Sequence, residues 1–276
     1  MIKNNYHTHV AYCNHAEGNV EDYVLKAIEY EFNEIGITDH APILKRFMTN
    51  KEYTDNWCHE NMKKGTVNIY LNDIKMAQKK YGNKIKIYSG FETEYIPSEY
   101  EFYKKLRDKV DYLNLGIHYF PFNGKILNTY SDVNYKNVYA YADNAILGME
   151  SGLYNVLVHP DLFMFDYKNI NGERKFDEEA IKVTKRICEA AIKNNIYLEI
   201  NANGLKNSLK YGDNPSDWLY PYYEFWNIAK QYKDLKIIIG ADAHNPLHLA
   251  NENVEAVCNF AEKIGLKIEE KMIINH

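Results

Sequence analysis

Short β-branched runs alternate with longer amphipathic stretches along this chain, and that alternation restricts its fold more than any other feature. Apolar positions recur at helical spacing over residues 20–32, 68–81, 98–107, 136–151, 177–194, 219–232 and 246–264. Between them lie short apolar runs at 34–38, 84–89, 112–116, 155–158, 196–200 and 236–239, with a poorer one at 3–6. Seven strands, each followed by a helix, predict a parallel sheet. At 276 residues the count fits a closed barrel of the (β/α) class in one domain, residues 1–276, with an open doubly wound sheet as the alternative. Two polar, irregular segments interrupt the rhythm, 41–66 and 203–218, where specificity loops are expected.

Histidines and acids mark the ends of these strands. His7 and His9 follow the first, Asp39 and His40 end the second, and Glu92 follows the third. His118 ends the fourth, His159 the fifth, and Asp242 and His244 the seventh. With His15, seven of the ten histidines stand at or just after a strand end. Strand C-termini of a parallel barrel open on one face, so residues distant in sequence converge there. Imidazole and carboxylate together bind Zn, Mn or Fe. His7 and His9, like Asp242 and His244, are two apart, which turns both side chains of an extended pair the same way. Nine donors exceed the needs of one ion and suit two or three, with the two oxygens of Glu92 as a natural bridge. His59, His248 and His276 read as surface or structural residues. Cys13 is either a further ligand or a small buried side chain.

Composition narrows the function. Lys and Arg total 33 against 38 Asp and Glu, a formal charge of -5, so bulk electrostatics do not favour nucleic acid. The four arginines are Arg46, Arg107, Arg174 and Arg186, which leaves few guanidinium forks for an anion. The four cysteines are widely spaced, the N-terminus has no apolar signal core, and no apolar run is long enough to span a membrane. A cytoplasmic monomer or homodimer acting on a small molecule is the expectation.

His7-x-His9, Thr38-Asp39-His40, Gly90-x-Glu92, Gly116-x-His118, His159-x-Asp161 and Gly240-x-Asp242-x-His244 together resemble the polymerase-and-histidinol-phosphatase (PHP) superfamily over residues 6–244. The resemblance implies a distorted, TIM-barrel-like (β/α)7 barrel with a trinuclear metal centre. It assigns His7, His9, Glu92 and Asp242 to one ion, Glu92, His118 and His159 to a second, and His15, His40 and His244 to a third. Chain size and Asp-His-Ala-Pro after the second strand point to the histidinol-phosphatase branch, which hydrolyses L-histidinol phosphate to L-histidinol and phosphate. The chain departs from that branch at two basic positions: His159-Pro-Asp-Leu-Phe-Met-Phe165 has no Arg, and Asn203-Gly-Leu-Lys206 carries Lys. Lys contacts phosphate as a point charge rather than a fork.

The cations would activate a water for in-line attack on phosphorus. Lys206, Lys45 and Arg46 are the expected phosphate contacts. Asp161 and Asp39 are expected either to protonate the leaving alkoxide or to orient ligating imidazoles. Hydrolysis of another small monoester, a phosphodiesterase or nuclease activity, and a non-catalytic metal-binding module are the alternatives.

Overall fold

Strand order in space follows strand order in the chain. In the computed structural model, residues 2–42, 62, 64–208 and 214–274 are described. Seven parallel strands form one sheet in the order β1 (Asn4–Asn5), β2 (Glu34–Ile37), β3 (Lys86–Thr93), β4 (Tyr112–Leu115), β7 (Val156–Leu157), β8 (Tyr197–Asn201) and β9 (Lys236–Gly240). The first and last strands meet beyond their ends. Thr8 bridges Ala243 in parallel, and the His9 N–H donates to the Ala243 carbonyl at 2.9 Å. Buried Asn5 bolts the same seam: its Oδ1 accepts from the Ala241 N–H at 2.8 Å while its Nδ2 donates to the His7 carbonyl at 3.0 Å. The sheet is thus a nearly closed barrel, as the alternation of elements requires.

The helices are α1 (Val20–Glu29), α2 (Val67–Tyr81), α3 (Tyr100–Arg107), α4 (Val138–Glu150), α5 (Glu178–Lys193), the short α6 (Leu205–Ser208), α7 (Tyr223–Ala229) and α8 (Glu252–Ile264). Their ends carry the expected chemistry. Asn19 and Asp22 form a reciprocal capping box on α1, and the Asp177 carboxylate accepts from the Glu179 and Ala180 N–H groups on α5.

Strand period two sorts the side chains into an outer layer under the helices and an inner column. Along β8, Leu198 and Ile200 join the main apolar core, while Tyr197 belongs to a separate cluster with Tyr6, Tyr88, Tyr112, Val156, Val158 and Ile238. That inner cluster fills the barrel floor. The Met272 N–H donates to the Tyr6 hydroxyl at 3.1 Å and the Ile273 N–H to the Tyr197 hydroxyl at 3.0 Å, so the C-terminal segment closes the floor from below. Continuing up the same columns, the inner residues become Glu92, Asn114, Glu199, Asn201 and Asp242, all buried. An apolar floor below a polar mouth is what positions the site.

Four differences from the sequence expectation have local causes. Glu92 lies within β3 rather than after it, because Gly90–Thr93 pairs with Tyr112–Leu115 of β4. The seventh helix begins at Tyr223, not 219, since Tyr222 is held extended with its N–H on the Asp161 carboxylate at 2.5 Å. The last helical stretch divides into a 3-10 turn, Pro246–Ala250, and α8, with the Asn251 side chain capping the latter. Finally, an antiparallel hairpin, β5 (Tyr119–Phe122) with β6 (Lys125–Asn128), stands where no strand was expected. Its Asn123-Gly124 turn has φ of 49° and 76°, the left-handed pair that a two-residue hairpin loop needs.

Candidate metal centre

Four donor atoms from three strands converge at the barrel mouth. His9 Nε2 lies 3.0 Å from His7 Nε2, 3.3 Å from Glu92 Oε2 and 3.0 Å from Asp242 Oδ1. His7 Nε2 lies 3.3 Å from Glu92 Oε2 and 3.5 Å from Asp242 Oδ1. Donors bonded tetrahedrally to one Zn at about 2.0–2.1 Å stand about 3.3 Å apart. The five separations bracket that value. Asp242 Oδ1 is buried and accepts no hydrogen bond among the described residues, although His9 Nε2 is close by. An orphaned carboxylate oxygen among imidazole nitrogens is costly unless a cation sits between them. The residues fit a divalent metal ion.

The other oxygen of Glu92 faces a second cluster. Glu92 Oε1 is 2.9 Å from His159 Nε2 and 3.3 Å from His118 Nε2, and all three residues are buried. A third group lies nearer solvent. His244 Nε2 is 2.9 Å from His15 Nε2, and the His15 and His40 rings stack with centroids 5.2 Å apart. His40 Nδ1 also reaches to 3.2 Å from Glu92 Oε2, and His9, His40 and His244 bring donors within 4.8 Å of one another. The nine expected residues therefore come together in one cluster. His159 and Asp242 have φ of 35° and 46°, left-handed values uncommon for non-glycine residues. Such strain persists where surrounding contacts over-determine it, as at a site.

Carboxylates behind the rings set their orientation. Glu199 Oε1 is 2.8 Å from His7 Nδ1, and Glu94 Oε1 is 2.7 Å from His118 Nδ1. Asp39 Oδ1 lies 3.5 Å from His9 Nδ1 and accepts from the His40 N–H at 2.9 Å, while Oδ2 accepts from the Cys13 N–H at 3.1 Å. Asn201 Nδ2 donates to Glu199 Oε2 and to Asp242 Oδ2, each at 3.0 Å. Glu94, Glu199 and Asn201 escaped sequence reasoning. A signal existed, for Glu199 and Asn201 are polar residues at period two in an otherwise apolar strand, and Glu94 follows Glu92 at the same spacing.

The metal-free charge balance is uneven. Burial opposes a charge on His7, but Asp242, Glu199 and Glu92 outweigh it and raise its pKa well above the usual 6.5. His9 is likewise raised against burial, by its contacts with Asp242, Asp39, Cys13 and Glu92. Burial and then the charge of His9 push His40 well down and His244 to about 3. Burial disfavours the anions of Glu92 and Asp242, yet the neighbouring imidazoles hold both well below the usual carboxylate range.

The remaining expected residues sit elsewhere. Asp161 is buried behind His159, where Oδ2 accepts from the Tyr222 N–H and, at 2.9 Å, from the Trp226 indole N–H. Lys206 is exposed on α6 and lines a cleft of about 310 Å³ with Ala202, Asn203, Ala241, His248 and Asn251, none of them among the nine clustered residues. Lys45 and Arg46, like His59 and His276, lie outside the described residues. Cys13 is buried, with Sγ 3.2 Å from the Val10 carbonyl, and belongs with His9 and Asp39 to a further group of converging donors.

The sequence matches the PHP domain over residues 5–203. The chain belongs to the PHP domain family. Seven of the nine clustered residues fall inside the matched span, and Asp242 and His244 lie beyond it. Over 261 residues the chain is 22% identical to the probable histidinol-phosphatase of Deinococcus radiodurans, covering 91% of this PHP chain and 90% of the relative. A probable histidinol-phosphatase of Schizosaccharomyces pombe is 33% identical over 120 residues, 41% of this chain and 38% of that protein. Among solved structures, the putative histidinol phosphatase HisK of Listeria monocytogenes superposes with a TM-score of 0.70 at 22% identity, over 91% of this chain and 98% of that one. The Lactococcus lactis histidinol phosphate phosphatase, complexed with Zn, L-histidinol and phosphate, gives 0.65 at 18% identity, over 96% and 95%. This chain and the two solved structures share one fold.

Proposed function

We propose that this PHP protein is a metal-dependent phosphoric monoester hydrolase that converts L-histidinol phosphate to L-histidinol and phosphate. The observation that supports it best is Glu92, whose two oxygens face two separate donor clusters 2.9–3.3 Å away. In the proposed assignment His7, His9, Glu92 and Asp242 hold one ion, Glu92, His118 and His159 a second, and His15, His40 and His244 a third. Zn is the first choice, with Mn or Fe as alternatives. Ions bound there supply Lewis acidity to the phosphoryl group and make water a competent nucleophile at neutral pH.

The chain's own residues do the rest. Water attacks phosphorus, the P–O bond to the alcohol breaks, and the departing oxygen takes a proton. Asp161 is the proposed donor of that proton: burial pushes its carboxyl up to about 6, and its Oδ1 has no hydrogen-bond partner among the described residues. Asp39 is proposed to position His9 and His40. Lys206, Lys45 and Arg46 are the proposed phosphate contacts.

Among the described residues no helix is long and apolar enough to cross a membrane. The proposed setting is the cytoplasm, with a small phosphate ester rather than a nucleic acid as partner and a monomer or homodimer as the working form. A steady-state screen of phosphate monoesters, including L-histidinol phosphate and run with metal analysis of the same sample, tests the proposal. Turnover of L-histidinol phosphate above all others, with two or three ions per chain, is expected. Faster hydrolysis of bis-p-nitrophenyl phosphate would assign a phosphodiesterase, and no turnover with metals bound would leave a binding module. The absence of Arg or Lys after His159-x-Asp161, through Phe165, favours a second reading, a monoesterase for another small alcohol.

A further inference from the structure

Five aromatic rings form a closed circuit on one flank of the metal cluster. His118 stacks on Tyr130, with centroids 6.2 Å apart and planes 9° apart. Tyr130 meets Phe165 edge to face at 5.1 Å, Phe165 meets Tyr220 at 6.2 Å, Tyr220 meets His159 at 6.4 Å, and His159 returns to His118 at 4.8 Å. The Tyr130 and Tyr220 hydroxyls are hydrogen-bonded to each other. Two of the five rings belong to proposed ligands on Glu92 Oε1, so the circuit borders the second metal position.

The rings come from four connections at the barrel mouth, and other contacts lock those connections together. Tyr130 follows the β5–β6 hairpin, whose exit is tied to His118 by the Thr129 N–H donating to the His118 carbonyl at 2.8 Å. Phe165 and Tyr220 are joined by two bridges between their loops. Asp161 accepts from the Tyr222 and Trp226 N–H groups, and Arg174 donates to the Met164 carbonyl at 2.8 Å and the Leu219 carbonyl at 3.2 Å. Tyr220 is buried, whereas Tyr130 and Phe165 are only half-buried beside buried ligands. Core aromatics would be covered; these two keep accessible surface at the mouth.

We propose that Tyr130 and Phe165 are specificity-determining residues that receive the alcohol portion of the substrate and select a cationic alcohol, one bearing an ammonium or imidazolium group, over a neutral one. This deepens the monoesterase reading and rests on it. Aromatic faces attract cations through the ring quadrupole. Beyond the proposed ligand His159, the segment from Pro160 to Phe165 brings no Lys or Arg to repel such a group.

The test compares two nearly isosteric esters, O-phosphoethanolamine and ethylene glycol monophosphate, together with L-histidinol phosphate, on the metal-loaded protein and on Phe165→Leu. Leucine keeps apolar bulk and removes the π face. For Phe165→Leu, kcat/KM on the two cationic esters should fall about tenfold through KM, as loss of a partly desolvated cation–π contact predicts, with kcat, metal content and the neutral ester within about twofold. Phe165→Tyr should retain the preference, and Tyr130→Leu should repeat the loss if Phe165→Leu does not fold. Equal losses on cationic and neutral esters, or a wild-type preference for the neutral ester, would overturn the assignment while leaving the monoesterase reading intact. Absence of turnover on every monoester with metals bound would remove both. A wild-type preference for O-phosphoethanolamine over L-histidinol phosphate would remove only the named substrate.

Discussion

Glu199 Oε1 stands 2.8 Å from His7 Nδ1, and both side chains are buried. The contact fixes which ring nitrogen faces the cluster: with Nδ1–H donating to Glu199, Nε2 keeps its lone pair for a cation held between it, Glu92 and Asp242. A carboxylate behind a ligating imidazole also makes the ring more basic.

Glu199→Gln should therefore keep the fold and lose metal affinity. Glutamine still offers a carbonyl oxygen to His7 but no charge, and loss of such a partner costs about 10–100-fold in affinity. Metal content after titration with a competing chelator measures this, and unchanged retention would count against His7 as a ligand.

Gly240→Ala should reach the same residue by crowding. A Cβ at Gly240 would lie 1.7 Å from Glu199 Oε1, and the acid has no room to retreat among buried neighbours. Overpacking of this kind costs about 1–3 kcal/mol. The variant should melt lower than wild type and also release metal more easily, whereas a drop in Tm with wild-type retention would separate packing from ligand positioning.

Glu92→Gln tests the bridge. One amide oxygen cannot serve both clusters, and the amide nitrogen would point a donor at a cation. Both metal content and turnover should fall, turnover by about 100-fold or more on the scale of lost electrostatic stabilisation. Full metal content with full turnover would sink the proposed mechanism.

Metal-free protein should have a narrow stability optimum near pH 6.5. His7 and His9 are raised in the fold, so their contribution is complete below the unfolded value of 6.5 and is lost as pH rises through their folded values. His40 and His244 are lowered, so the unfolded chain takes up their protons first and stability falls as pH drops below 6.5. Bound metal keeps the imidazoles neutral and should flatten the profile. Thermal melts of chelated and loaded protein across pH check this, and titration of metal at pH 7 should release the protons held by His7 and His9.

Asp161→Asn should depend on the leaving group. Asparagine can still accept from Tyr222 and Trp226 but cannot deliver a proton. kcat on an alkyl phosphate should fall at least about 100-fold while p-nitrophenyl phosphate, whose anion leaves unaided, changes little. Equal losses on both would make Asp161 a positioning residue for the loop that carries Tyr220.

Histidine and acid placement was legible because period and strand ends are local properties. The apolar runs located the strands, and parallel strands deliver their C-terminal residues to one face. The Asn123-Gly124 hairpin was equally local, and its turn chemistry was present in the sequence to be read. Lys206 stands at a motif position, and the cleft it lines reaches the cluster through Asn203, whose Nδ2 donates to Asp242 Oδ2 at 3.4 Å.

By itself the sequence determined the barrel and its nine converging donors, since local periodicity and strand polarity suffice for both. Only the tertiary structure decided which atoms meet. Glu199, Glu94 and Asn201 gain their roles from neighbours on other strands, and the Tyr130–Phe165–Tyr220 wall comes from three separate connections. Such contacts depend on register and loop path, which long-range packing sets and no local pattern encodes.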